Sequence, residues 1–347
     1  MKIFVPSAVA LISIMTMIVA NAITCSGPHA RVEPPAGALV VDAAANPKYK
    51  NSFRTLAGAV NKLDLSSGNQ QTIFILSGLY KEKVTIPFLN GPLVLQGATC
   101  DATSYAKNQV TIAQATAQKN LPNDVTNDRN ALTSTVLFKS NNVKVYNLNI
   151  ANTAGNVGQA VAVTVDGENY GFYGCDLRGY QDTLLTKKGK QLYAKSRITG
   201  AVDFIFGLEA AVWCERCDIE SIGAGCITAN GRSSNGSNSY YVFNHARVYG
   251  SKGSLVGKTF LGRPWRPYAR VVFQNSELSN VVNAAGWSKW NGQSPDHVHF
   301  REFKNVGPGA AKRERAAFSQ QLTQAVSINQ ILGDNYKTQS WVDLAYL

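Results

Sequence analysis

The sequence predicts an all-β chain wound as a parallel β-helix. Three observations lead there: a run of short strand-like segments, a recurring aliphatic position, and a change of apolar parity inside each repeat. The recurring aliphatics are Ile150, Leu177, Ile198, Ile219, Val248 and Leu278, spaced 27, 21, 21, 29 and 30 residues, with loop signals inside the longer intervals. Five residues before each anchor stand Val145, Phe172, Tyr193, Cys214, Phe243 and Phe273. Two residues before stand Leu148, Cys175, Ser196, Cys217, Ala246 and Ser276. Bulky falls on bulky and small mostly on small, as in a solenoid whose turns stack. Apolar positions seven and five before the anchor differ in parity from those at two and zero, so each coil should bend between them. An antiparallel sandwich is the competing fold, and two consecutive 21-residue steps argue against it.

Along the chain, Lys2, the apolar run from Ile3 to Val19 and Ala20-Asn21-Ala22 read as a signal peptide over residues 1–22. The run is shorter than the ~20 residues an uncleaved membrane anchor needs, and no later segment could span. Residues 23–38, with Pro28, Pro34 and Pro35, form an irregular lead-in, and residues 39–347 a single parallel β-helix domain. It opens with a strand at Leu39–Val41. Phe53, Leu56, Ala59, Val60 and Leu63 have helical spacing, so a short N-terminal amphipathic helix is expected from an N-cap at Ser52 to about Leu63. Strand segments follow at Thr72–Leu76, Lys83–Ile86, Leu93–Gln96, Val143–Ile150 and on to about Phe273. From Ala310 to the end, helical stretches such as Arg313–Ala325 alternate with loop and are expected to cap the open end of the stack.

The 347 residues carry 34 Lys plus Arg against 22 Asp plus Glu, a net charge of +12, with 45% hydrophobic residues, which excludes disorder and fibre. Without residues 1–22 the chain keeps 325 residues and, Lys2 being the only charge lost, +11. A secreted, extracellular, cationic protein is the expectation, one that meets acidic polysaccharides and anionic surfaces more readily than nucleic acid. Lys and Arg are dispersed rather than clustered, which speaks against nucleic acid. Six cysteines in an oxidising compartment allow 15 connectivities that sequence does not rank. Cys175 and Cys217 share a register two coils apart, roughly 10 Å, too far to bridge. Cys214 and Cys217 read as a local disulfide or two buried thiols, since zinc needs four ligands. Asn235-Gly236-Ser237 is a glycosylation sequon in an exposed Ser/Gly/Asn-rich stretch.

The register also places chemistry. Asp182 lies five residues after Leu177, and Asp203 five after Ile198, so the two carboxylates occupy equivalent positions in adjacent coils, with backbones about 4.8 Å apart. Close carboxylates resist double ionisation, leaving one as acid and the other as base or nucleophile. Capping a turn or pairing at the surface is the plainer role for each, but Asp203 sits in the apolar run Val202-Asp203-Phe204-Ile205-Phe206. There a carboxylate without partner or function is costly. Arg263 is the candidate cationic partner, surface charge being its plainer role.

Gly158-Gln159-Ala160-Val161-Ala162, Gln181-Asp182-Thr183-Leu184, Asp203-Phe204-Ile205-Phe206-Gly207 and Leu261-Gly262-Arg263-Pro264-Trp265 resemble, in order, the signature segments of pectin methylesterases. The resemblance runs from about residue 40 to the C-terminus, is strongest between 156 and 290, and implies a right-handed parallel β-helix of a non-plant type. Carried over, it implies that Asp203 attacks the C6 methyl ester of galacturonate to form a covalent intermediate, and that Asp182 protonates the departing methanol and then activates water. It implies that Gln159 and Gln181 stabilise the oxyanion and that Arg263 holds Asp203 ionised. Trp265, with Trp287, Phe204 and Phe206 as further candidates, would stack on sugar. Core packing is the alternative for each of these aromatics. No cofactor or metal is called for. Pectin, a homogalacturonan, and a proteinaceous inhibitor are the expected partners, with no membrane, and the chain is expected to be a monomer. Leu185 and Gly207-Leu208-Glu209-Ala210 depart from the plant-type pattern, away from the catalytic positions.

Other motifs fail on inspection. Gly253 to Thr259 is one residue short of a P-loop, His297 and His299 lack a third ligand, and no G-x-S-x-G segment occurs. The rival functions are a calcium-dependent lyase or polygalacturonase on the same fold, and an inactive wall-binding protein. Retention of Gln159, Gln181, Asp182, Asp203 and Arg263 argues against the last.

Overall fold

The computed structural model describes residues 25–311 and 313–347, so the signal-peptide expectation for residues 1–22 lies outside the described residues. Among the described residues, strands fall into three sheets of eleven, seven and eight, whose ladders are all parallel. Chain neighbours sit in different sheets and pairing joins one coil to the next, which is a parallel β-helix. No helix among the described residues is long and apolar enough to cross a membrane.

Both columns read from the sequence are ladders. Ile150, Leu177, Ile198, Ile219, Val248 and Leu278 pair in succession along the eight-stranded sheet. Val145, Phe172, Tyr193, Cys214, Phe243 and Phe273 do so along the eleven-stranded sheet. All twelve side chains are buried, and Phe172 stacks on Tyr193 at 5.0 Å and Phe243 on Phe273 at 4.3 Å. The bend between the two columns is one residue wide. Asn147, Gly174, Lys195, Arg216, His245 and Asn275, each three before its anchor, have φ between 48° and 57°. A left-handed residue reverses the alternation of side chains, so apolar groups on both sides of it point inward. The small residues that follow fill the corner, and the Ser196 and Ser276 hydroxyls donate back to the Ala194 and Gln274 carbonyls.

The amphipathic helix is shorter than its periodicity, spanning Leu56–Val60 with Thr55, not Ser52, as N-cap. Thr55 Oγ1 accepts from Gly58 N, and the Glu82 carboxylate, 26 residues away in sequence from Leu56, accepts from Leu56 N and Ala57 N. That tertiary cap fixes the start, which local spacing does not reveal.

The C-terminal expectation also needs correction. No helix forms over Arg313–Ala325. Arg315 is drawn into a buried pair with Glu302, and Ser319–Gln321 continues the eleven-stranded sheet. Ala316 and Phe318 pack against the core, as a cap would. The rest, with a helix at Ile328–Leu332, runs back over the outer face of that sheet. Val326 N bonds Gln274 Oε1 at one end; at the other, Tyr146 donates to Asp343 and Tyr346 to the Ala102 carbonyl. Val326, Ile331, Leu332 and Trp341 cover Val272, Val242, Trp213, Leu192 and Tyr173.

Cys25 and Cys100 are bridged, while Cys175, Cys214, Cys217 and Cys226 are buried thiols. Cys175 and Cys217 stay unpaired, as their spacing requires.

Candidate active site

The coil passes from the eight-stranded to the seven-stranded sheet through residues 179–184, and the next through 200–205. Bridges Gln159 to Gln181 and Gln181 to Val202, with the pair Leu184 to Ile205, set Asp182 directly beside Asp203. Both aspartates are left-handed, at φ 66° and 49°, a conformation that costs a non-glycine residue roughly 1–2 kcal/mol and concentrates where geometry matters. Thr183 Oγ1 holds this turn by donating to the Thr199 carbonyl.

The two carboxylates differ in partners although both are buried, at 6% and 5% exposure. Arg263, two coils further on, grips Asp203 with both arms: Nε donates to Oδ1 at 2.8 Å and Nη2 to Oδ2 at 2.6 Å. Among the described residues, Asp182 has no ion pair. Burial raises its carboxyl well above the usual range, the Asp203 charge raises it further, and Arg263 opposes. Burial raises Asp203 as well, less strongly, against the hydrogen bond and charge of Arg263. Of the two, Asp182 therefore holds its proton to the higher pH, and Arg263 favours the ionised form of Asp203. Gln159 and Gln181 stand half-buried one residue before the aspartate column.

The chain through Asp182 joins two open cavities. Gly179 and Tyr180 line one of about 690 Å³; Leu185, Lys187 and Lys188 line another of about 410 Å³, with Trp265 and Arg129. Trp265 is half-buried and meets Phe206 at 6.0 Å, in an outer apolar cluster with Leu185 and Ala229. Phe204 and Trp287 are placed otherwise than expected. Phe204 is fully buried in the central core, because the left-handed Asp203 before it turns the next side chain inward. Trp287 is 1% exposed, stacks on Phe300 at 4.4 Å and donates Nε1–H to Glu302. Neither presents a face to a sugar. Asn235 is exposed in a turn that Arg232 holds through the Asn235 carbonyl.

Two residues at the site escaped sequence reasoning. Trp290 lies over the Arg263 guanidinium, 4.3 Å from ring centroid to Cζ. Cys226 continues the aspartate column by one coil, since Ile205 pairs with Thr228. Burial, with Asp203 beside it and against Arg263, pushes its thiol up to about 12. Extending the 21-residue register past the Gly223–Gly225 loop would have found Cys226; nothing in the local sequence distinguishes Trp290 from Trp287.

Residues 42–340 match the family Pectinesterase. The chain belongs to that family. It is 42% identical over 324 residues to a pectinesterase of Aspergillus aculeatus, covering 91% of this chain and 94% of the relative. A pectinesterase of Aspergillus niger is equally similar, 42% over 325 residues with the same coverage. Among solved structures, the Aspergillus niger pectin methylesterase superposes with TM-score 0.81 at 35% identity, over 91% of this chain and all of that one. The carrot enzyme superposes at 0.78 and 27% identity, over 90% and 98%. As a pectinesterase the chain is an ester hydrolase.

Proposed function

We propose that the chain hydrolyses the C6 methyl esters of homogalacturonan to pectate and methanol through a covalent intermediate on Asp203. The observation that carries this reading is the asymmetry of two adjacent buried aspartates, one gripped by Arg263 and one unpaired. The Asp203 carboxylate attacks the ester carbonyl carbon, and the carbonyl electron pair moves to oxygen, where the Gln159 and Gln181 amides donate. The oxyanion collapses, the C–O bond to the methoxy group breaks, and the Asp182 proton goes to that oxygen, releasing methanol and leaving an acyl–Asp203 anhydride. Asp182, now a carboxylate, takes a proton from water as the water attacks the acyl carbon. The bond from the acyl carbon to the Asp203 oxygen breaks, so Asp203 is regenerated as a carboxylate with Asp182 protonated again, and the galacturonic acid departs and loses its proton to solvent.

A pectin methylesterase 26% identical to this chain, with TM-score 0.69, has been solved with a hexasaccharide, which supports an oligosaccharide as the occupant of the cleft here. Trp265 is the stacking surface, with Phe206, expected beside it but buried at 3% exposure, packed behind it as support, and secretion follows from the N-terminal pattern. The test is methanol release from highly methylated pectin with a calcium chelator present and unsaturated products followed by ultraviolet absorbance. Methanol without unsaturation is expected, and its loss in Asp203→Asn. Unsaturated product that appears only with calcium would make the chain a lyase instead.

A further inference from the structure

The seven- to eleven-stranded corner beside the cleft carries a group of cations that the proposed mechanism does not use. Tyr240, Arg270 and His299 stand side by side on three successive strands of the eleven-stranded sheet, with Arg301 two residues along from His299. The Arg270 guanidinium lies on the Tyr240 ring at 3.7 Å, and His299 meets the same ring edge-on at 6.0 Å. Arg232, behind them, donates to the Ser237 and Tyr268 carbonyls. Among the described residues, none of Arg232, Arg270 and Arg301 has a carboxylate within ion-pair distance. Unpaired arginines brought this close repel one another, so their grouping is costly unless an anion joins them. Burial, Arg301, Arg270 and Arg232 push His299 down to about 4, leaving it a neutral neighbour.

This group opens onto a cavity of about 430 Å³ between the sheet and helix Ile328–Leu332, lined among others by Lys190, Tyr240, Arg270 and Gln330. Glu168 and Glu209 line it too, against Arg270 and Lys190; Arg232 and Arg301 do not line it, but their charges, together with that of Arg270, reach His299 on the same wall and tip that wall positive. Glu209 also lines the Trp265 cavity, and Lys187 and Lys188 of that cavity continue into Gly189 and Lys190 of this one. The two hollows are thus one path over the corner of the helix.

We propose that Arg270 and Lys190, with Arg301 adding charge on the same wall, form a second binding site that takes the carboxylates of a demethylated polygalacturonate stretch adjoining the catalytic cleft. The proposal rests on the esterase reading for the identity of the polymer. A planar guanidinium fixed on an aromatic ring presents its edge to a carboxylate with little entropy left to lose. A chain reaching this site holds the protein on its own product.

The test uses the mature protein and its Arg270→Gln/Arg301→Gln and Lys190→Gln variants. Binding of long polygalacturonate and of trigalacturonate is measured by calorimetry at low and moderate salt, and methanol release is followed on a short methylated oligomer. The double variant should bind long polygalacturonate about tenfold more weakly and with a flatter salt dependence. Its binding of trigalacturonate and its turnover of the short oligomer should match wild type. Lys190→Gln, at the half-buried first residue of its strand, should weaken the long polymer in the same sense and serves if the double variant melts early. Unchanged affinity of the folded variants for long polygalacturonate overturns the site. Wild-type protein that binds this polymer through the site but releases no methanol overturns the esterase reading alone.

Discussion

Trp290 covers the outer face of the Arg263 guanidinium at 4.3 Å, while the inner edge of that guanidinium grips Asp203. The indole keeps water from the pair and presses the fork into its plane, an attraction of roughly 1–2 kcal/mol where partly desolvated. Trp290→Ala should lower kcat about tenfold with little change in Tm, and Trp290→Phe should recover most of it. With Arg263 better solvated, the Asp203 carboxylate is less favoured, so the acid limb of the pH–rate profile should move to higher pH. A variant with lower kcat and an unmoved acid limb would show that Trp290 acts elsewhere.

Asp182 makes stability depend on pH in an unusual direction. Its carboxyl is raised in the folded chain, chiefly by burial, so folding favours the protonated form. Its contribution is fully present below the unfolded value of about 3.9 and is lost as pH rises through the raised folded value. Asp182→Asn should therefore melt a few degrees above wild type at neutral pH, and the two melting curves should converge below about pH 4. Turnover should be abolished at both pH values. An Asn variant that melts below wild type at pH 7 would mean that the ionised carboxyl is satisfied after all.

Not every residue of the signature segments serves chemistry. Gly207, closing Asp203-Phe204-Ile205-Phe206-Gly207, has φ 152°, and a Cβ built there would sit 1.9 Å from the Thr186 carbonyl oxygen. That oxygen belongs to the neighbouring strand and cannot yield. Gly207→Ala should destabilise the fold by about 3 kcal/mol or more, visible as a lower denaturation midpoint, while kcat per folded molecule stays near wild type.

The C-terminal tail is fastened at Tyr173, whose hydroxyl donates to the Trp341 carbonyl at 2.7 Å and accepts from Asp343 N at 2.8 Å. Tyr173→Phe leaves two polar backbone groups without that partner. A loss of about 1–3 kcal/mol is expected, with faster proteolysis near residues 340–347 and unchanged KM.

Much of the fold is legible in the sequence because a ladder repeats its demands on each coil: the Ile150 to Leu278 column is a periodic signal that survives in one chain. The same register sets Asp182 beside Asp203, so the adjacency of the two carboxylates is read from spacing alone. What is illegible depends on contacts across the chain. The helix starts at Leu56 because of Glu82, and the tail runs along the sheet because Val326 and Trp341 find Val272 and Tyr173 there. Aromatic identity carries no direction, so Phe204 and Trp287 read as equals of Trp265, although one left-handed aspartate and one stack on Phe300 fix which way they point.

The returning tail changes how the molecule can come apart. Stacked repeats touch only their neighbours and can melt from an end, one unit at a time. Here a single segment crosses the strands from Arg270–Gln274 to Val143–Tyr146, so releasing any one of these coils strips apolar cover from the rest. Fraying is replaced by an all-or-none transition, and the aspartates, in the middle of the spanned coils, keep their register until the whole stack gives way.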